Sequence, residues 1–95
     1  MTDDSKTIHA IISGKVQGVW FRAWTQETAE ELGLDGWVRN RRDGTVEAVF
    51  SGPSTSVDRM VELAHDGPSH ARVRDVQVSD SAETPTPGFE KRPTV

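Results

Sequence analysis

The stretch GWVRNRRDGTVEAVF, residues 36–50, constrains this chain more than any other. Asp43-Gly44 is a strong hairpin-turn signal, and on its far side Val46, Ala48 and Phe50 alternate with Thr45, Glu47 and Val49. Such alternation puts every second side chain on one face, so Trp37–Asn40 and the run after Gly44 are expected to pair as a β-hairpin with one buried face. A single hairpin is only marginally stable in water, so other elements must cover that face.

The flanking sequence supplies them. From Thr7 to Ser13, Ile8, Ala10 and Ile12 share one parity, as in a half-buried strand, and a Gly-rich loop is expected from Gly14. Phe21, Trp24, Thr28, Ala29 and Leu32 then form a helical stripe, which Gly33 stops and Leu34 follows as a hydrophobic cap contact. Pro53 is expected to open a second helix with Val57, Met60, Val61 and Ala64 on its apolar side, ended by Gly67-Pro68. Residues 71–79 read as a strand. Val73 and Val76 differ in parity, which predicts a bulge or register adjustment near Asp75. Residues 80–88 read as a surface loop, and FEKRPTV as a short edge strand whose pairing Pro93 limits. The order β-α-β-β-α-β is that of an α+β, ferredoxin-like sandwich: an antiparallel sheet with two helices on one face. Residues 1–6 are expected to be a disordered lead-in and residues 7–95 a single domain.

Ninety-five residues can bury one core. The chain is 34% hydrophobic and 27% charged, and it has no apolar run of membrane-spanning length. Its acidic start, MTDDSK, is unlike a signal peptide. The lack of cysteine excludes thiol chemistry and fits a cytoplasmic protein. A net charge of −4 speaks against nucleic acid as a partner. A monomer is the default expectation for so small a domain.

The segment GKVQGVWFR, residues 14–22, sets a different problem. It places Arg22 where a helix begins, and a helix N-terminus already carries partial positive charge. An anion between the two would resolve the conflict. Gly14 and Gly18 allow positive φ and close backbone approach, and successive amides in such a loop can form a nest for an oxyanion. The free N–H groups of the following helix point the same way, and the Arg22 fork suits two phosphate oxygens. A Gly-rich turn with a solvated arginine is the plainer alternative on spacing alone. The P-loop pattern is not met. Asn40 both donates and accepts hydrogen bonds, so it can orient a water molecule, although Asn at a strand end more often satisfies nearby backbone. Lys15, Arg22, Arg39, Arg41 and Arg42 are five basic residues around this region, either a solvated face or a source of local positive potential. His9, His65 and His70 have no metal-ligand spacing, and no serine elbow is present. Trp24 is expected in the core and Trp20 at the rim of the site.

These residues resemble the acylphosphatase family. Its first signature is matched by Gly14, Val16, Gln17, Gly18, Val19, Phe21 and Arg22. Its second is matched by Gly36, Trp37, Val38, Arg39, Asn40, Gly44, Val46 and, with five residues between, Gly52. The similarity covers residues 7–79. It implies a hydrolase that cleaves the carboxyl–phosphate anhydride of acyl phosphates to a carboxylate and inorganic phosphate, without metal or cofactor. It further implies that the loop Val16, Gln17, Gly18, Val19, Trp20 and Phe21 holds the phosphoryl oxygens, that Arg22 clamps them, and that Asn40 positions the attacking water. The alternative in the same fold is a module that binds phosphate or an acyl phosphate without turning it over.

Overall fold

In a computed structural model describing residues 4–95, the elements follow the expected order. They are β1 (Ser5–Lys15), α1 (Phe21–Glu31), β2 (Asp35–Asn40), β3 (Val46–Pro53), α2 (Ser54–Ala64), β4 (Arg72–Asp80) and β5 (Phe89–Lys91). The sheet order is β4-β1-β3-β2-β5. Each helix carries the chain past a neighbouring strand, which gives the interleaved antiparallel arrangement of a ferredoxin-like α+β fold. Among the described residues no helix is long and apolar enough to cross a membrane.

Alternation decides the core. Ile8, Ala10 and Ile12 of β1, Val38 of β2 and Val46, Ala48 and Phe50 of β3 all lie buried in one cluster with Phe21 and Ala29 of α1 and Val57 and Met60 of α2. Removing the valine, isoleucine, phenylalanine and methionine side chains from water contributes about 1.5–3 kcal/mol each. Helix α1 ends as its glycine predicts: the Gly33 N–H donates to Glu30 O, the Leu34 N–H donates to Ala29 O, and Leu34 is buried beyond them. Pro53 is the last residue of β3 and sits just ahead of α2, not within its first turn.

The register shift expected near Asp75 lies at Arg74. Ser13 pairs with Asp75 and Gly14 with Val73, so one residue of β4 bulges out. Gly14 is not yet loop, because β1 runs on to Lys15. Nor are residues 5 and 6 a lead-in: Ser5 and Lys6 pair with Pro53 and Gly52, and Lys6 forms an ion pair with Asp58 of α2. Residues 1–3 of the expected lead-in lie outside the described residues.

The final edge strand changes the sheet from wholly antiparallel to mixed. β5 pairs with β2 in parallel, Gly36 to Phe89 and Val38 to Lys91. Strand β4 finishes at the end of the sheet where β2 starts, so a chain that crosses to the far edge must enter β5 in the direction of β2. Polar contacts hold that crossing: the Trp37 Nε1–H donates to Glu83 Oε2 at 2.7 Å, and the Gly88 N–H donates to Asp35 Oδ1 at 2.8 Å. Phe89 stacks on Phe50 with ring centroids 5.6 Å apart. Ladder pairing stops at Lys91, two residues before Pro93.

The face of the sheet away from the helices is organised by charge. Glu47 accepts from His9 Nε2 at 2.6 Å and from Arg39 Nε at 2.8 Å, while the guanidinium groups of Arg39 and Arg92 lie 4.6 and 4.7 Å from the Trp37 ring centre. Burial raises the Glu47 pKa, but these hydrogen bonds and the adjacent charge outweigh it and leave the group below its usual value. A depressed carboxyl stabilises the fold above its unfolded pKa and loses that contribution as pH falls through its native one. Glu47→Gln is therefore expected to lower stability by about 1 kcal/mol at neutral pH, as for a partly exposed charged pair. The deficit should shrink toward zero below about pH 4, where carboxylates protonate, as urea denaturation of both proteins at neutral and acid pH will measure.

Candidate active site

The bulge at Arg74 delivers the chain into the turn between β1 and α1. Gly14 has φ 122°, and a Cβ there would lie 2.2 Å from the Arg72 carbonyl oxygen. Only glycine lets β1 stay against β4 to that point. Two left-handed residues follow, Gly18 at φ 72° and Trp20 at φ 67°, and Trp20 is the only non-glycine with positive φ among the described residues. A side chain held in that region costs about 1–2 kcal/mol. The Trp20 carbonyl accepts the first helical bond, from the Trp24 N–H, and no side chain caps the helix. No acceptor among the described residues takes a hydrogen bond from the main-chain amides of Gly18 through Ala23. The sequence thus produces a turn and a helix end with consecutive unused donors.

This turn walls one side of a cavity of about 330 Å³ through Val16, Gly18, Trp20 and Phe21. Arg22 and Ala23 continue the wall, and Asn40 and Lys91 face it from β2 and β5. Val16 and Phe21 have buried side chains, so they serve the core and offer the cavity mainly their backbone. No carboxylate lines the space. No ion pair among the described residues engages Arg22 or Lys91. The Asn40 Oδ1 is buried and has no hydrogen-bond partner, an arrangement that costs free energy unless something else fills it.

Six of the residues singled out from sequence, Val16, Gly18, Trp20, Phe21, Arg22 and Asn40, meet in this cavity. Gln17 and Val19 do not; both line a separate, neighbouring cavity. The Gln17 carboxamide serves the loop instead. Its Nε2 donates to Arg41 O at 2.7 Å and to Thr45 O at 2.8 Å, tying the loop to the β2–β3 turn just beyond Asn40. That turn is closed by the Gly44 N–H donating to Arg41 O. It is braced by Asp43, whose carboxyl the Thr45 hydroxyl and amide hold below its usual pKa.

The basic residues also divide differently from expectation. Alternation in β2 turns Arg39 to the opposite face from Asn40, where it serves Glu47 and Trp37. Arg41 lies 4.0 Å from Asp43 within the turn. The cation that does reach the cavity beside Arg22 is Lys91, which no local pattern marks; only its parity with buried Phe89 on a strand hints at it. Among the described residues no group of three or more His, Cys, Asp or Glu side chains has metal-binding geometry.

The fold and this cavity define a small α+β protein with a basic, acid-free recess at a helix N-terminus. Comparison with known proteins gives the family. The acylphosphatase family model matches residues 8–91, so the match runs through β5 and beyond residue 79, where the sequence resemblance was expected to end. An acylphosphatase of Rhodospirillum rubrum is 54% identical over 90 residues, covering 95% of this chain and 99% of that one. One of Haloarcula marismortui is 50% identical over 84 residues, covering 88% and 92%. The solved structure of an acylphosphatase from Coxiella burnetii superposes with a TM-score of 0.90 at 38% identity, covering 94% of each chain. The chain belongs to the acylphosphatase family.

Gln17→Ala should destabilise the protein by about 1 kcal/mol, since both carbonyls keep a main-chain partner and lose only the carboxamide. Gln17→Glu should cost more at neutral pH, because a carboxylate there faces two carbonyl oxygens and has no proton to offer. Chemical denaturation of the three proteins checks the order.

Proposed function

We propose that this chain hydrolyses acyl phosphates to a carboxylate and inorganic phosphate, by direct attack of water on phosphorus. The observation that carries the proposal is the buried, unpartnered Asn40 Oδ1 in the same recess as Arg22 and the unused loop amides. Family membership supports the reaction class. The roles of individual residues rest on the chemistry of the recess.

The amides around Gly18 through Ala23 and the Arg22 fork hold the phosphoryl oxygens, with the positive end of α1 beneath them. Lys91 adds a second positive charge. Asn40 accepts a proton of the attacking water in a hydrogen bond and thereby fixes its direction. As the new P–O bond forms, the bond to the acyl oxygen breaks and its electron pair leaves with the carboxylate. The water proton passes to a phosphate oxygen or to solvent. A carboxylate is a good leaving group, so the reaction needs neither a strong general acid nor a covalent nucleophile. Positioning and charge stabilisation are the main requirements of phosphoryl transfer. The reaction in this form calls for no metal or cofactor.

The test is inorganic phosphate release from benzoyl phosphate in the presence of EDTA. Wild type should turn over rapidly. Asn40→Ala should lose about 10²–10³ in kcat, the usual cost of one preorganised polar group at a reacting centre, with little change in inhibition by phosphate. Arg22→Ala should lose both turnover and phosphate inhibition, because it holds ground and transition states alike. Normal turnover by a folded Asn40→Ala protein would overturn the water-positioning role. A folded wild type that binds phosphate and releases none would identify a binding module instead.

A further inference from the structure

We propose that the cavity on the other side of Trp20 is the subsite for the acyl end of the substrate, and that it favours acyl groups bearing a second negative charge. The inference rests on the hydrolase reading above. Lys15, Gln17, Val19 and His70 line this second space of about 330 Å³, and Gly18 and Trp20 line both it and the phosphate recess. Asn40 belongs to the phosphate recess alone.

Attack and departure at phosphorus lie roughly in line. Water held at Asn40 therefore sends the leaving oxygen to the side of the phosphorus opposite Asn40, and Gly18 and Trp20 are the residues through which the recess borders a second space. Trp20 stands on that border. The residue is 79% exposed, and its backbone is left-handed. The exposed indole does no work in the core, and Trp20 lines both spaces. Such strain concentrates where a segment contacts ligand.

Beyond Trp20 the one formal charge on the lining is the ammonium of Lys15. Lys15 ends β1 opposite Arg72 of β4, and no ion pair among the described residues engages either of them. No carboxylate lines the cavity. An acyl chain leaving the phosphate recess across the indole thus meets a lysine ammonium and the His70 ring. A short acyl group ending in a carboxylate satisfies that pattern, and one ending in a methyl group does not.

The experiment compares kcat/KM for succinyl phosphate and butyryl phosphate, which differ in a terminal carboxylate against a methyl, with wild type and Lys15→Gln. Wild type should prefer succinyl phosphate at low ionic strength. Lys15→Gln should cut that preference about three- to fivefold, the worth of a partly solvated ion pair, and the change should lie in KM. Added salt should erode the wild-type preference in the same way. Equal wild-type use of the two substrates, or a parallel fall for both in Lys15→Gln, would overturn the acyl subsite while leaving the hydrolase reading intact. Release from neither substrate by folded wild type would overturn the hydrolase reading and the subsite with it.

Discussion

The closeness of β1 to β4 at Gly14 is the constraint on which the site depends. A Cβ there would stand 2.2 Å from one main-chain oxygen of β4 and 2.7 Å from a main-chain nitrogen, so neither strand has room to yield. Glycine lets β1 stay paired to its last residue while the Arg74 bulge takes up the mismatch in register. The turn then starts from a rigid base. Left-handed residues at Gly18 and Trp20 carry it into α1 without engaging its amides in internal hydrogen bonds. A looser junction would let those amides find partners in the protein, and the recess would lose its donors.

The opposite wall of the recess is held just as firmly by different means. Asn40 lies at the end of a strand, next to a turn that Gln17 grips through two carbonyls. The donor loop and Asn40 are therefore one mechanical unit, although Asn40 lies 22 positions beyond Gly18. This coupling explains why glutamine sits within the loop: its length and its two N–H donors reach both carbonyls at once, which a shorter or anionic side chain does not manage.

Charge is sorted by the pleat. The protein is acidic overall, yet the recess has Arg22 and Lys91 and no carboxylate on its lining. Arg39, one residue from Asn40, lies on the other face, where with Glu47, His9, Arg92 and Trp37 it fastens β5 and the preceding loop to the sheet. That fastening has a consequence for the site, because β5 is the strand that brings Lys91 to it. A network on one face of the sheet thus supports a cation on the other.

Much of this protein is determined by short-range pattern. Alternation in β1 and β3, the helical stripes, the Gly33 stop and the parity break at Val73 and Val76 each act over a few residues, so the element order and the bulge are legible in the chain itself. Gly18, Arg22 and Asn40 stand out in the chain by residue type, and the structure brings all three to one cavity. Other features needed the tertiary structure. The parallel pairing of β5 depends on where β4 ends, and the arrival of Lys91 beside Arg22 depends on that pairing. The diversion of Gln17 to the turn and of Arg39 to the far face depends on which carbonyls and carboxylates lie within reach across the sheet. Local sequence determines which way a side chain points from its own backbone; what it meets there is decided by strands distant in the chain, through register and crossing direction.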